Sequence, residues 1–370
     1  MHAAIAGAGL MGRLMAWRLL RAGWRVSLFE RDPEGVESAA HGAEGSAAAY
    51  TAAGMLAPWA ELESAEELVH RLGLRSLALW PALASELGAD FDLHTRGTVV
   101  VAHAGDRADY RRFAGTLAAK LPGPQHWRTL DAAALCALEP ELAGRFQEGL
   151  HLPGEAWLNP LAVMAALGEA LRAGGVVWHQ GAAVDEVGPG YLVSGGARHS
   201  CDWAFDCRGL GARVDVPRLR GVRGEVIWLH APAVTLRHVV RLMHPRYRLY
   251  LVPRSDQGFV IGATQIESDD AGPITVRSSL ELLSAVYSLH DGFAEARVIE
   301  TRANCRPAFD DNLPRVFTAP GLVRINGLFR HGFLLAPALA EAVADWLVEP
   351  ATSPCPELFA PESPVMELQS

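Results

Sequence analysis

The chain has 370 residues, 50% of them apolar and 20% charged, with 42 acidic against 33 basic side chains for a net charge of −9. At about 100–200 residues per domain this makes two or three units, and the apolar fraction excludes a disordered chain or a charged fibre. An acidic balance spread along the chain disfavours electrostatic capture of nucleic acid or an anionic membrane, which leaves a small-molecule site as the default expectation.

Residues 2–6 form a short apolar strand that runs into Gly7-Ala8-Gly9-Leu10-Met11-Gly12, then into Leu14, Met15, Trp17, Leu19 and Leu20 at helical spacing. Gly23 ends that helix, and Arg25 to Glu30 reads as a second strand with an acid at its tip. This is a complete mononucleotide-binding βαβ unit. Residues 38–58 are small and nearly uncharged. A polar helical stretch with Glu61, Glu63, Glu66 and Glu67 follows and continues to Leu87. Phe91 to Ala102 reads as strand, Gly105 to Leu138 as helix with a Pro-Gly-Pro break, Gly149 to Pro153 as strand, Leu161 to Ala173 as helix and 176–179 as the parallel strand after it. From Arg198 a strand leads into the glycine turn 206–211.

Residues 221–305 change to period-two strands, including a hairpin of 247–254 and 259–264 about the turn Ser255-Asp256-Gln257-Gly258. Gly321 to Asn326 returns as strand, the last helix is expected from about Pro337, and the Pro/Ser/Glu-rich chain from Pro350 reads as frayed. The predicted organisation is discontinuous. Segments 1–88, 154–220 and 308–350 make a nucleotide domain, 89–153 and 221–307 a substrate domain over it, and 351–370 a tail. Cys136, Cys201, Cys207, Cys305 and Cys355 show neither CxxC pairing nor zinc-ligand spacing, so neither a disulfide framework nor a metal is expected. No basic n-region precedes the first strand, and the apolar stretch 333–348 carries Glu341 and Asp345. The expectation is a soluble, cytoplasmic protein without a membrane partner.

Gly7, Gly9 and Gly12 suit a tight turn that lets a pyrophosphate approach a helix N-terminus, while the Glu30 carboxylate can accept from both ribose hydroxyls and would repel a 2′-phosphate. NADP is disfavoured; NAD and FAD both remain open on this motif.

Six further motifs narrow the choice: Ala52-Ala53-Gly54-Met55-Leu56-Ala57-Pro58, Arg220-Gly221-Val222-Arg223-Gly224-Glu225-Val226, Leu249-Tyr250-Leu251-Val252-Pro253-Arg254, Ile261-Gly262-Ala263-Thr264, Asn304-Cys305-Arg306-Pro307, and Gly327 to Pro337. In this order, over roughly residues 3–348, the chain resembles the FAD-dependent glycine oxidases of the D-amino acid oxidase superfamily, which serve thiamine biosynthesis in bacteria. The resemblance implies a fold of α/β plus α+β type, a Rossmann-like FAD-binding domain with an antiparallel-sheet substrate domain. It implies non-covalent FAD, extended so that the adenosine half lies on Gly7, Gly9, Leu10, Met11, Gly12, Glu30 and Arg31, with the backbone of Val184 beside the adenine. The flavin would lie against Ala53, Gly54 and Met55, and its pyrimidine edge on Leu328, Phe329, Arg330, His331, Gly332, Phe333 and Leu334. Some relatives have hydroxyl side chains near the pyrophosphate where this chain has Ala48 and Ala49, so only backbone contacts are expected there.

For substrate, the resemblance implies that Arg306 makes a two-pronged ion pair with the carboxylate of glycine, that Tyr250 donates its hydroxyl to it, and that Arg330 completes the polar end as the third catalytic residue. Taken singly, Tyr250 could be a half-buried strand tyrosine, Arg306 a partner of Asp310 or Asp311, and Arg330 merely exposed. Gln265 and Arg248 stand where some relatives carry methionine and histidine, and would reshape the amine end of the pocket. His331 is expected to shape the turn and Cys305 to be a buried thiol. Small amino acid and dioxygen are the implied reactants, glyoxylate and hydrogen peroxide the products, and the imine the precursor of the thiamine thiazole. The family further implies a homo-oligomer, possibly a tetramer. Competing readings are a flavin D-amino acid dehydrogenase passing electrons to a quinone or carrier, a flavin-binding module without turnover, and a flavin domain acting on tRNA, which the acidic balance disfavours.

Overall fold

The computed structural model describes residues 1–32, 47–121, 123, 125–244, 249–350 and 355–361. Its first sheet grows from the strand His2–Ala6, whose alternating residues go to opposite faces. Ala3 and Ile5 join the larger core, while Ala4 and Ala6 join a smaller cluster with Phe29, Val187 and Leu192. His2–Ala6 pairs in parallel with Arg25–Glu30 on one side and Trp203–Asp206 on the other. Val177–Gln180 extends the sheet beyond Arg25–Glu30, and Leu322–Asn326 beyond Trp203–Asp206. Arg315–Ala319 and Phe359–Pro361 complete seven strands. On the larger core's face lie the helices Leu10–Arg21, Glu67–Leu87, Pro160–Ala173 and Gly332–Val348. On the other lies a three-stranded meander, Val184–Gly188, Tyr191–Ser194 and Ala197–Ser200.

The second sheet has nine strands and is mostly antiparallel; Val239–Met243 and Thr98–Ala102 are a parallel pair within it. The hairpin is present as Leu249–Pro253 and Gly258–Gly262, with Tyr250 opposite Gly262. Leu249 and Leu251 point into a core shared with the helix Val276–Leu289, whereas Val252 and Tyr250 point the other way, toward a cluster with Ala53, Met55 and Trp157.

Four local expectations change. The last helix begins at Gly332 with Pro337 inside it; the proline lacks an N–H, and Trp80 Nε1 donates at 3.0 Å to the Phe333 carbonyl that this frees. The end of the chain is not frayed throughout, because Phe359–Pro361 pairs with Arg315–Ala319 and Leu358 is buried. Residues 105–138 are two helices, Arg107–Lys120 and Ala132–Leu138, divided by the strand Arg128–Asp131. Asp131 stops that strand by capping the second helix, accepting from Ala134 N–H at 2.8 Å. Residues 198–206 are two strands rather than one.

Candidate active site

One cleft of about 1160 Å³ runs from the glycine turn of the first sheet to the exposed face of the second. At its first end Gly7 has φ +94°, and a Cβ there would lie 2.6 Å from the Cys207 carbonyl. Gly9 caps the helix Leu10–Arg21, and Gly7, Gly9, Leu10 and Met11 all face the cleft. Gly12 does not. A Cβ on it would sit 1.9 Å from the Gly7 carbonyl, so its job is to let the helix press against the turn. Glu30 and Arg31 border the same end. The Glu30 oxygens accept from the N–H groups of Ala8 and Asp32 at 2.8 and 3.1 Å, which fixes the carboxylate and leaves further lone pairs toward the cleft.

The middle wall is almost bare backbone. Ala48 and Ala49 form a 3₁₀ turn, Ala48–Tyr50, and offer no polar side chain. Gly54 takes φ +75° because a Cβ would meet Leu158 O at 2.1 Å; its own carbonyl accepts from Leu158 N–H at 3.0 Å. Met55 pairs with Trp157, and Arg254 holds the Ala53 carbonyl. Val184 borders the cleft near the glycine turn; its carbonyl accepts from Arg208 at 3.0 Å. Leu328 to Leu334 line the far wall, so the first turn of the helix Gly332–Val348 faces the cleft with the positive end of its dipole.

Arg306 projects from the strand Arg297–Ala308 across Gly224, where a Cβ would lie 2.1 Å from its Nη2. Its Nη1 donates to the carbonyls of Thr264 and Arg223 at 3.2 and 3.3 Å. It does not pair with Asp310 or Asp311: those carboxylates bind Arg218 and Arg315. Among the described residues no carboxylate pairs with Arg306. Burial lowers its basicity, and nearby Arg330 adds to this while Tyr250 opposes it; a guanidinium stays charged regardless. Tyr250 lies over Gly262, where a Cβ would be 2.9 Å from its hydroxyl, and burial raises its pKa, so it remains a donor.

Arg330 is neither merely exposed nor free. Its Nε reaches Glu61 Oε2 at 2.9 Å and its Nη2 the same oxygen at 2.5 Å; Nη1 and Nη2 reach Gln265 Oε1 and Ser64 Oγ, each at 2.9 Å. His331 Nε2 meets that carboxylate oxygen at 2.9 Å. Burial disfavours an ionised Glu61, but Arg330 and His331, with Arg241 beyond, outweigh it and hold the carboxyl well below the usual range. Burial makes His331 less basic despite Glu61. The structure thus brings Tyr250, Gln265, Arg306 and Arg330 to one end of the cleft; Arg248 lies outside the described residues. Cys305 is buried, with its sulfur 3.4 and 3.5 Å from the carbonyls of Asp270 and Ser268. Sequence reasoning missed Glu61, which sits in an acid-rich run that reads as a solvated face, and Gly224, visible in its motif but unexplained without Arg306.

A chain-long match ties this geometry to a known group: residues 2–346 match the FAD dependent oxidoreductase family model. The chain belongs to the FAD-dependent oxidoreductase family. Within it, this oxidoreductase is 43% identical to a protein of Rhizobium etli described as the thiamine biosynthesis oxidoreductase ThiO, covering 93% of this chain and 95% of that one. It is 30% identical to a glycine oxidase of Geobacillus kaustophilus, over 94% and 92% of the two chains. The crystal structure of glycine oxidase from Geobacillus kaustophilus superposes with a TM-score of 0.78 at 27% identity, covering 93% of each chain.

The cleft of this oxidoreductase fits the dinucleotide that the family uses. Its first end offers a glycine turn at a helix N-terminus and a fixed carboxylate, its middle a wall with little side chain to hold a ring system off, and its far end a second helix N-terminus.

Proposed function

We infer that this enzyme carries out FAD-dependent oxidative deamination of glycine and small N-substituted glycines such as sarcosine. Glycine, dioxygen and water give glyoxylate, ammonia and hydrogen peroxide. The observation that carries this reading is Arg306, a guanidinium facing the cleft without a carboxylate partner among the described residues, beside the hydroxyl of Tyr250. Bound in the cleft, FAD supplies the hydride acceptor and passes the electron pair to dioxygen.

Every other requirement falls to the chain itself. Arg306 presents a planar fork that matches both oxygens of a carboxylate, and the Tyr250 hydroxyl adds a third donor; together they fix the acid group and so the α-carbon. The first turn of the helix Gly332–Val348, which lines the cleft, would hold the far edge of the bound cofactor, where its positive end would favour added electron density. His331 is already bonded to Glu61 and, with its basicity lowered by burial, remains neutral near neutral pH. It is poorly placed as a general base, so the substrate enters as the neutral amine, which needs none. Water then hydrolyses the imine, unless the imine passes on to thiazole formation, the role that the ThiO likeness supports. The enzyme's proposed setting is the cytoplasm, as a homo-oligomer.

Anaerobic mixing with glycine, sarcosine, D-alanine and a bulky D-amino acid tests the reading. Glycine and sarcosine should bleach the yellow protein fastest, and air should return the colour with one peroxide per turnover. Bleaching without peroxide would favour a dehydrogenase, and no bleaching by any amine a binding module.

A further inference from the structure

At the substrate end of the cleft Arg306 and Arg330 lie near each other, and of the two only Arg330 meets a carboxylate among the described residues. Arg306 meets only carbonyls among the described residues. Arg330 is clamped by Glu61 from two nitrogens, with Gln265 and Ser64 taking further N–H groups. His331 spends its Nε2 on the same Glu61 oxygen, and burial keeps it from adding charge near neutral pH. Arg241 and Glu63, 4.0 Å apart on this wall, offset each other. One positive charge therefore remains for the substrate, enough for one carboxylate.

We propose that Glu61 determines substrate class, neutralising Arg330 so that the cleft accepts amines with one carboxylate and disfavours those with a second anionic group on nitrogen, such as N-carboxymethylglycine. Arg330 is then a latent second anion site, silenced by its counter-ion. A half-buried guanidinium released from its carboxylate is open to another oxyanion of the same planar geometry, and a second carboxylate on the amine supplies one. The proposal rests on the reading that a glycine-type amine enters this end of the cleft.

Glu61→Gln keeps the size and the acceptor for His331 while removing the charge. In the FAD-loaded variant, the ratio of kcat/KM for N-carboxymethylglycine over glycine should rise about tenfold or more. A second measurement needs no turnover: oxydiacetate and methoxyacetate, a dicarboxylate and a monocarboxylate without an amine, are titrated against the flavin absorbance. Oxydiacetate should bind about tenfold tighter to Glu61→Gln, with methoxyacetate changed less than about threefold. Adding Arg330→Met should abolish both gains, which a purely structural role for Glu61 does not require. Unchanged ratios in a folded, yellow Glu61→Gln protein, or gains that persist in the double variant, would overturn the proposal.

Should Glu61→Gln fail to fold, Arg330→Met alone decides. It leaves Glu61 uncompensated, so oxydiacetate should weaken more than methoxyacetate, and equal affinities for wild type and variant would refute the idea. A wild type that glycine does not bleach sinks the glycine reading instead, and the oxydiacetate titrations still judge Glu61.

Discussion

Arg306 reaches the cleft because the residue beneath it has no side chain. The guanidinium lies on Gly224, and a Cβ there would stand 2.1 Å from Nη2. Gly224→Ala should therefore push the fork off its carbonyls and raise KM for glycine about tenfold or more, with the flavin spectrum retained. Arg306→Ala should do more. Losing one partner of a hydrogen-bonded charge pair costs about 2–5 kcal/mol, a rise in KM on the order of 30-fold to several thousand-fold. Steady-state peroxide release against glycine, with FAD content read from the visible band, checks both; an unchanged KM for either variant removes Arg306 from substrate binding. The sequence carries Arg306 and Tyr250 as members of ordered motifs and the strand alternation of Tyr250 as a face. It does not carry what neutralises each charge, because ion pairing joins residues far apart in the chain, such as Glu61 and Arg330.

Among the elements, the helix Gly332–Val348 matters most, since its first turn faces the cleft, and what places it is its crossing with Glu67–Leu87. At that crossing a Cβ on Gly73 would lie 3.0 Å from Leu334, Ser76 Oγ accepts from Ala338 N–H at 3.2 Å, and Trp80 is fully buried against Phe333. A proline read from sequence marks a helix's first turn, which moves the predicted start to Pro337. Only the partner helix reveals that an indole takes over the carbonyl that the proline strands. Trp80→Phe should thus cost about 1–3 kcal/mol by leaving that carbonyl buried and unsatisfied, beyond any packing loss. Pro337→Ala in the same protein restores an N–H within the helix and should recover part of that loss. Chemical denaturation of the two single variants and the double variant measures the coupling; strictly additive losses would show that the indole is not serving the proline's orphan. The glycine turn and its βαβ unit were legible because every contact there is local. The meander 184–200 was not, since its strands are only four or five residues long and the two outer ones, Val184–Gly188 and Ala197–Ser200, lack alternation.

At the scale of the molecule, two buried carboxylates, one in each sheet's unit, titrate in opposite directions. Asp206, at the end of the strand Trp203–Asp206, is buried, which disfavours its charge, but Arg208 and Arg324 win and hold its carboxyl below the usual range. Its folded pKa is depressed, so its contribution is present above the ordinary carboxyl range and is lost as pH falls through the folded value. Glu155 does the reverse. It joins the second sheet to the helix Pro58–Glu61, accepting from Ala60 N–H at 2.7 Å while its own carbonyl accepts from Gly97 N–H at 3.0 Å. Burial raises its pKa to about 7, with Glu61 adding and Thr98, Ala60 and Arg241 opposing. A raised folded pKa means that its favourable contribution is complete below the ordinary glutamate value and vanishes as pH climbs through about 7. Glu155→Gln keeps an acceptor for Ala60 and carries no charge at any pH. It should match wild-type stability near pH 4.5 and exceed it above pH 7, by on the order of 3 kcal/mol, through the difference in proton binding alone. Urea unfolding of both proteins across that range tests this. A gain that does not grow with pH would mean that Glu155 ionises in the folded enzyme as readily as in the unfolded chain.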